Sequence, residues 1–93
     1  MDETGLKNWL ISEKNFGKKS AGDVVSRCRR IERILEISLD TSANTPEDLH
    51  HVATRLKEES STYLKPDVNK VYAVAVLRRA ATLYSEYLAL QKA

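Results

Sequence analysis

The sequence predicts an all-α fold, a four-helix bundle with a long C-terminal helix, on three observations. Apolar residues recur with a period near 3.6 in each periodic segment. The 93-residue chain favours Leu, Ala, Glu, Lys and Arg over strand formers, and its three glycines all precede residue 23. Residues 67–91 contain neither Gly nor Pro. We therefore predict a single domain, residues 1–93, with helices at about 4–14, 21–38, 46–59 and 67–91.

The first predicted helix has Thr4 as a possible N-cap and places Leu6 and Trp9 on one side. Trp9 is the only tryptophan in the chain, and we interpret it as a core anchor in preference to a platform for a ligand. Gly17 lies in the break that follows, where it can adopt the left-handed conformation that ends many helices.

The second predicted helix opens at Ser20, a good N-cap, with Asp23 completing a pair that is similar to a capping box. Its apolar stripe contains the single cysteine, Cys28, which we interpret as a small buried residue and not as a reactive thiol. The opposite side carries four arginines within seven residues, at positions 27, 29, 30 and 33.

Two interpretations of these arginines remain open. They can form an ordinary solvated face with Arg29–Glu32 and Arg33–Glu36 pairs, each contributing a few tenths of a kcal/mol. Alternatively, they form a binding surface for an anionic partner.

The third predicted helix has a strong start signal, with Thr45 as N-cap, Pro46 at the first helical position and acids in the first turn. His50 and His51 point away from its apolar stripe. Two adjacent histidines on a helix cannot both face one metal ion, and neither a cysteine nor a spaced acid completes a site. We predict no metal site.

The long fourth helix is expected to begin at Asp67 as N-cap. Residues 71–77 are all apolar or Tyr, which predicts that this first half is packed on several sides, whereas the second half would show a polar back to water. The alternative is two helices with a break near Arg78 and Arg79, although no helix breaker is found there.

Motifs of catalysis and targeting are not found in the sequence. There is no glycine-rich phosphate loop, Cys-x-x-Cys, His-Glu-x-x-His or Gly-x-Ser-x-Gly, so we predict a protein that is not an enzyme and has no cofactor or small-molecule substrate. No apolar run is long enough for a membrane span, and no signal peptide is recognised. One cysteine suits a reducing compartment, so we expect a cytoplasmic location.

Three segments together resemble a known family. Residues 16–31, Phe-Gly-Lys-Lys-Ser-Ala-Gly-Asp-Val-Val-Ser-Arg-Cys-Arg-Arg-Ile, are similar to the opening of the SAM-like core-binding domain of phage-type integrases, the tyrosine recombinases of DNA recombination. Residues 39–49, with their Thr-capped helix start, resemble the second landmark of that domain. The Ala-rich helix ending at residues 83–88 resembles the third.

The resemblance implies an orthogonal SAM-like bundle, formed from two helical hairpins with the fourth helix as spine. It also implies that the second and fourth helices bind duplex DNA. Carried onto this chain, the expected nucleic-acid-binding residues are Lys18, Lys19 and Ser20 at the cap, Arg27 and Arg30 on the second helix, and Lys70 near the start of the fourth.

A competing function class is a helical protein-interaction module. It would use the same arginines against an acidic partner, or exposed apolar surface for self-association. The formal net charge of +2 is compatible with either class, because it is too small to indicate nucleic acid alone. The two classes differ in salt dependence, since DNA binding should weaken steeply as salt is added.

Overall fold

The computed structural model describes residues 1–92, which are mostly α-helical and contain no β-strand. The all-α prediction is confirmed. The helices of this part of the chain are α1 (Glu3–Glu13), α2 (Lys18–Leu35), α3 (Leu39–Ser42), α4 (Pro46–Glu58), α5 (Ser60–Tyr63) and α6 (Lys70–Lys92). The four predicted helices correspond to α1, α2, α4 and α6, and the single-turn helices α3 and α5 occupy the predicted links between them.

The long helix α6 is the element against which the others pack. It contacts α1, α2, α3 and α4, while α1 also packs along α2. The core between these helices is formed by side chains that are fully or almost fully buried, among them Leu6, Leu10, Cys28, Ile31, Leu56, Leu77 and Tyr84. Burial of each large apolar side chain stabilises the bundle by roughly 1.5–3 kcal/mol. Within the described residues, none of the helices is both long enough and apolar enough to cross a membrane.

Cys28 lies in the core, as its position in the apolar stripe of α2 predicts. Its side chain is 0 % exposed, and its Sγ donates to the Ala80 carbonyl across the α2–α6 contact at 3.4 Å. The prediction of a buried, structural cysteine is confirmed.

The ends of α1 differ from the prediction. Asp2, and not Thr4, is the N-cap, and its Oδ1 accepts from the Gly5 amide at 3.0 Å. After the helix, the left-handed conformation is adopted by Asn15 with φ 57°, whereas Gly17 has φ −70°. Asn tolerates this region better than other non-glycine residues because its short polar side chain can bond locally.

Helix α2 starts earlier and ends earlier than predicted. The extended backbone of Gly17 makes it the N-cap, so α2 begins at Lys18 and the prediction of Ser20 as N-cap is wrong. Ser20 lies in the first turn with its side chain exposed. The helix ends at Leu35, because Glu36 turns left-handed at φ 54°, so the predicted extension to residue 38 is also wrong.

The start of α4 is as predicted. Thr45 Oγ1 accepts from the Asp48 amide at 3.0 Å, and Pro46 is the first helical residue. The start of α6 is not as predicted, because Asp67 does not cap it. Asn69 Oδ1 accepts from the Tyr72 amide at 3.1 Å instead. Helix α6 then continues without a break through residues 78 and 79.

The second half of α6 shows the predicted polar back, since Arg78, Arg79, Thr82 and Glu86 are exposed, but its first half differs from the prediction. Val71 is 82 % exposed and Tyr72 is 69 % exposed, so the expectation that the first half of this helix is packed on several sides is wrong. The buried residues of α6 begin at Leu77 and extend to Tyr87. Near its start, the neighbouring elements are the last turn of α4 and the single turn of α5, which are too short to enclose an apolar helix on all sides.

Candidate nucleic-acid interface

The N-terminal turn of α2 presents charge and free backbone amides together. Lys18, Lys19 and Ser20 are all exposed in this turn. The first helical hydrogen bond runs from the Ala21 amide to the Gly17 carbonyl at 2.9 Å, and no side chain caps this helix start. The preceding amides therefore face outward at the positive end of the helix dipole. Although Ser20 is not the cap, its own amide is one of them.

A groove of about 330 Å³ separates this turn from the middle of α6. We call it the α2–α6 groove. Its lining comprises Phe16, Ser20, Asp23, Val24, Arg27, Val76, Arg79, Ala80 and Leu83. Arg27 from α2 and Arg79 from α6 thus contribute two guanidinium groups to one groove. Asp23 places one carboxylate beside them, which weakens the local positive potential.

The two arginines of this groove are not neutralised by ion pairs. Among residues 1–91, neither Arg27 nor Arg79 has a carboxylate within salt-bridge distance. Other cations are paired, since Arg55 contacts Glu59 at 3.1 Å. An arginine with no intramolecular carboxylate keeps its full set of donors available to an external anion.

The two i,i+3 pairs considered for α2, Arg29–Glu32 and Arg33–Glu36, are not formed among residues 1–91. Arg29 forms its ion pair with Glu3 of α1. Glu32 accepts instead from the Leu39 amide at 2.9 Å, at the start of α3. Packing of α1 against α2 and the turn into α3 thus provide closer partners than the next turn of the same helix.

Arg30 and Lys70 lie apart from the α2–α6 groove. Arg30 is half-buried and lies near Tyr63, where burial raises the pKa of the phenol and the arginine charge opposes that rise. Lys70 Nζ donates to Ser61 Oγ at 3.0 Å. Nine residues separate Lys70 from Arg79, about 14 Å along the axis of α6. Of the predicted residues, the groove brings together Ser20 and Arg27, with Lys18 and Lys19 beside them.

Arg79 is the residue that the sequence analysis missed as a site residue. It was noted only as part of a possible break in the last helix. The available signal was the pair Arg78-Arg79, which interrupts an otherwise apolar run, although its position opposite α2 depends on how the helices pack. A shallow surface lined by Ala75, Arg78, Arg79 and Thr82 continues from the groove around the exposed side of α6.

A separate cluster of carboxylates and tyrosines fixes the N-terminal residues on α6. The Tyr87 hydroxyl donates to Asp2 Oδ2 at 2.5 Å, and the Tyr84 hydroxyl donates to Asp40 Oδ1. Asp40 Oδ2 also lies 3.0 Å from the Met1 ammonium. The hydrogen bonds from Tyr87 and Tyr84 are the main reason why the pKa values of Asp2 and Asp40 lie below their usual range.

The two histidines are exposed on α4, where His51 Nε2 lies 3.8 Å from a Glu47 oxygen. In the described part of the chain, no three His, Cys, Asp or Glu side chains are arranged to hold a metal ion. Comparison of the chain with protein-family models, with curated proteins and with solved structures found no match.

Proposed function

We propose that this protein is a non-catalytic DNA-binding module that contacts duplex DNA through the α2–α6 groove. One observation supports the proposal above the others. Arg27 and Arg79 come from two different helices, flank one groove and have no ion-pair partner among residues 1–91. The amide-bearing start of α2, with Lys18 and Lys19, lies beside them.

The chemistry of this surface matches a phosphate backbone. A guanidinium group can donate two parallel hydrogen bonds to one phosphate, and free amides at a helix N-terminus bind phosphate oxygens. Lys18 and Lys19 are exposed and directly precede Ser20 of the groove lining, so they add two positive charges to this turn. Phosphate contacts of this kind set position and affinity but carry no sequence information.

The number of contacts predicts modest, salt-sensitive binding. If the four cations at positions 18, 19, 27 and 79 each neutralise one phosphate, the logarithm of the binding constant should fall with the logarithm of salt with a slope of about −3.6. Asp23 reduces the attraction. Arg30 and Lys70 lie outside the groove, so in this proposal they act only through their more distant charge.

The resemblance to the core-binding domain of tyrosine recombinases is consistent with this placement. In that family the second and fourth helices face the duplex, and here α2 and α6 supply the two arginines of the groove. We therefore also propose a SAM-like, orthogonal arrangement of α1, α2, α4 and α6. The protein would bind DNA, as that domain does, without the chemistry of recombination.

A salt titration tests the proposal. Fluorescence anisotropy of a labelled duplex of about 20 base pairs is measured between about 50 and 200 mM salt for the wild type, Arg27→Ala and Arg79→Ala. Each substitution should weaken binding and reduce the magnitude of the salt slope by about one. If Arg27 contacts a base edge, its loss should cost about 1–3 kcal/mol and depend on sequence.

Lys7→Ala is the matched control, because Lys7 is an exposed cation of α1 that lines neither the α2–α6 groove nor the surface that continues from it. It should leave the slope unchanged. Absence of binding at low salt, or a loss on Lys7→Ala equal to that on Arg27→Ala, would refute the proposed function.

A further inference from the structure

The first turns of α6 carry an apolar stripe that packs only partly against the rest of the chain. The stripe consists of Val71, Val74 and Ala75 and is followed on the same face by the charged Arg78. The four residues are spaced at i, i+3, i+4 and i+7, which places them on one face of the helix. Val71 is 82 % exposed, and Ala75 is also exposed. We call these four residues the α6 seam. This spacing is the one through which a helix packs against another helix.

The α6 seam forms one wall of a groove. The last turn of α4 and the start of α5 form the opposite wall, and the groove between them has a volume of about 450 Å³. Tyr72 is next to the seam and 69 % exposed, which extends the apolar surface out of the groove. An exposed apolar surface that is concave and bordered by polar residues is typical of a binding site.

The border of this groove is positive. Lys57 of α4 and Lys70 and Arg78 of α6 line it, and no carboxylate does so among residues 1–91. None of these three cations forms an ion pair within that part of the chain. The ammonium group of Lys70 donates a hydrogen bond to the neutral Ser61 hydroxyl.

We propose that the α6 seam binds an acidic amphipathic helix of a partner protein. Apolar side chains of the partner, spaced at i, i+3 or i+4, and i+7, would pack against Val71, Val74 and Ala75. Carboxylates flanking that stripe would pair with Lys57, Lys70 and Arg78. This site is distinct from the α2–α6 groove, so the inference does not depend on DNA binding.

Charge and shape complementarity select this occupant over three others. In a symmetric dimer the same surface meets itself, so the cations at the border would face their own copies. A nucleic acid would satisfy the cations but would leave the apolar floor without a partner. A lipid surface would contact the protruding Val71 and Tyr72 but would leave the concave floor formed by Val74 and Ala75 without a partner.

A random library of displayed peptides of about 15 residues, long enough for one amphipathic helix, is the probe for this site. Selection on the whole chain should enrich acidic peptides with apolar residues at helical spacing. The peptide enriched most strongly is then synthesised, and its affinity is measured for the wild type and two variants. Val71→Asp should weaken it by about tenfold or more, by adding a like charge to the apolar contact.

The variants separate a local effect from unfolding. Val71 is the second residue of α6, where Asp is favourable to the helix dipole, so the helix should remain intact. Leu90→Asp is the matched control, because Leu90 is 55 % exposed near the other end of the same helix. It should leave peptide affinity unchanged, as should Arg27→Ala, which is expected to weaken DNA binding.

Several outcomes would overturn the inference. One is enrichment of neutral or basic peptides, or no enrichment. Another is peptide binding that survives Val71→Asp. A concentration-dependent dimer that Val71→Asp abolishes would assign the α6 seam to a second copy of the chain. Binding of the protein to anionic lipid vesicles, lost in the same variant, would assign the seam to a membrane surface.

Discussion

Replacing Tyr84 with Phe should destabilise the protein in a way that depends on acid. Tyr84 is fully buried on α6, and its hydroxyl donates to Asp40 and accepts from the Asp2 amide at 3.1 Å. The substitution keeps the ring and removes only the hydroxyl, so the loss reports on these two hydrogen bonds. Both connect residues that are far apart in the sequence.

The expected loss in the free energy of unfolding depends on how far the Asp40 side chain is exposed to water. A hydrogen bond to a charged group contributes about 1.5–3 kcal/mol. Because the Asp40 side chain is 44 % exposed, water can replace part of the bond, and the lower end of that range, about 1.5 kcal/mol, is expected for this bond. For a domain of this size, that loss alone lowers Tm by roughly 6–12 °C, and loss of the bond from the Asp2 amide adds to it.

The direction of the pH dependence follows from the lowered pKa of Asp40. The Tyr84 hydrogen bond is the largest cause that lowers the pKa of Asp40 below its ordinary value of 3.8. A carboxyl group with a lowered folded-state pKa contributes stability that is present above its unfolded-state pKa and is lost as pH falls through the folded-state pKa. The difference in the free energy of unfolding between the wild type and Tyr84→Phe should therefore be largest at neutral pH and should decrease below about pH 4.

Equilibrium urea unfolding at several pH values measures this difference, with Tyr63→Phe as control. The Tyr63 hydroxyl donates to the neutral Leu56 carbonyl at 2.6 Å, so its loss should cost about 0.5–1.5 kcal/mol, and that cost should not change with acid. If Tyr84→Phe were neutral at pH 7, or if both variants showed the same pH dependence, the hydrogen bond to Asp40 would not contribute as described.

Four further predictions concern single residues. Gly22→Ala should raise the free energy of unfolding by about 0.5–1 kcal/mol, because Gly22 lies inside α2 and no atom approaches within 4 Å of an added Cβ. Gly5→Ala should lower the free energy of unfolding, since the added Cβ would overlap the hydroxyl of the packed Tyr87. If chemical denaturation showed that both glycine substitutions change the free energy of unfolding in the same direction, these two predictions would be contradicted. Cys28 should react slowly with a thiol reagent, because burial raises the pKa of its thiol to about 12, and rapid labelling without denaturant would show the opposite. Asp23→Asn should tighten DNA binding severalfold by removing the carboxylate from the α2–α6 groove, and unchanged affinity in the anisotropy assay would argue against that groove as the site.

The sequence predicts those features of the fold that have a local cause. Thr45 and Pro46 mark the start of α4 because capping depends on residues within one turn. The burial of Cys28 follows from its place in the apolar stripe of α2. Ser20 misled the prediction of the α2 start because Gly17, which has no capping side chain, adopts the extended conformation first.

The exposure of α6 could not be predicted from its composition. Periodicity shows that residues 71–77 lack a polar face, but not whether other elements are long enough to cover them. The cluster around Tyr84 also has no local signal, since Asp2 and Asp40 reach α6 from positions 82 and 44 residues away.

The candidate DNA site was predictable only in part. Ser20 and Arg27 were identified on one helix, and the structure places them in one groove. Arg79 joins that groove because α2 and α6 pack together, and Lys70 lies two and a half turns earlier on α6, on the other groove. Helical spacing relates residues within a helix, whereas contact between helices depends on the whole core.

The most direct test of the proposed DNA interface is a titration of the ¹⁵N-labelled protein with a duplex of random sequence, followed by amide chemical shifts at low salt. We expect the largest changes in the first turns of α2, from Lys18 to Arg27, and around Arg79 of α6. Changes centred on Val71 and Ala75, or no changes at any duplex concentration, would refute the proposed interface.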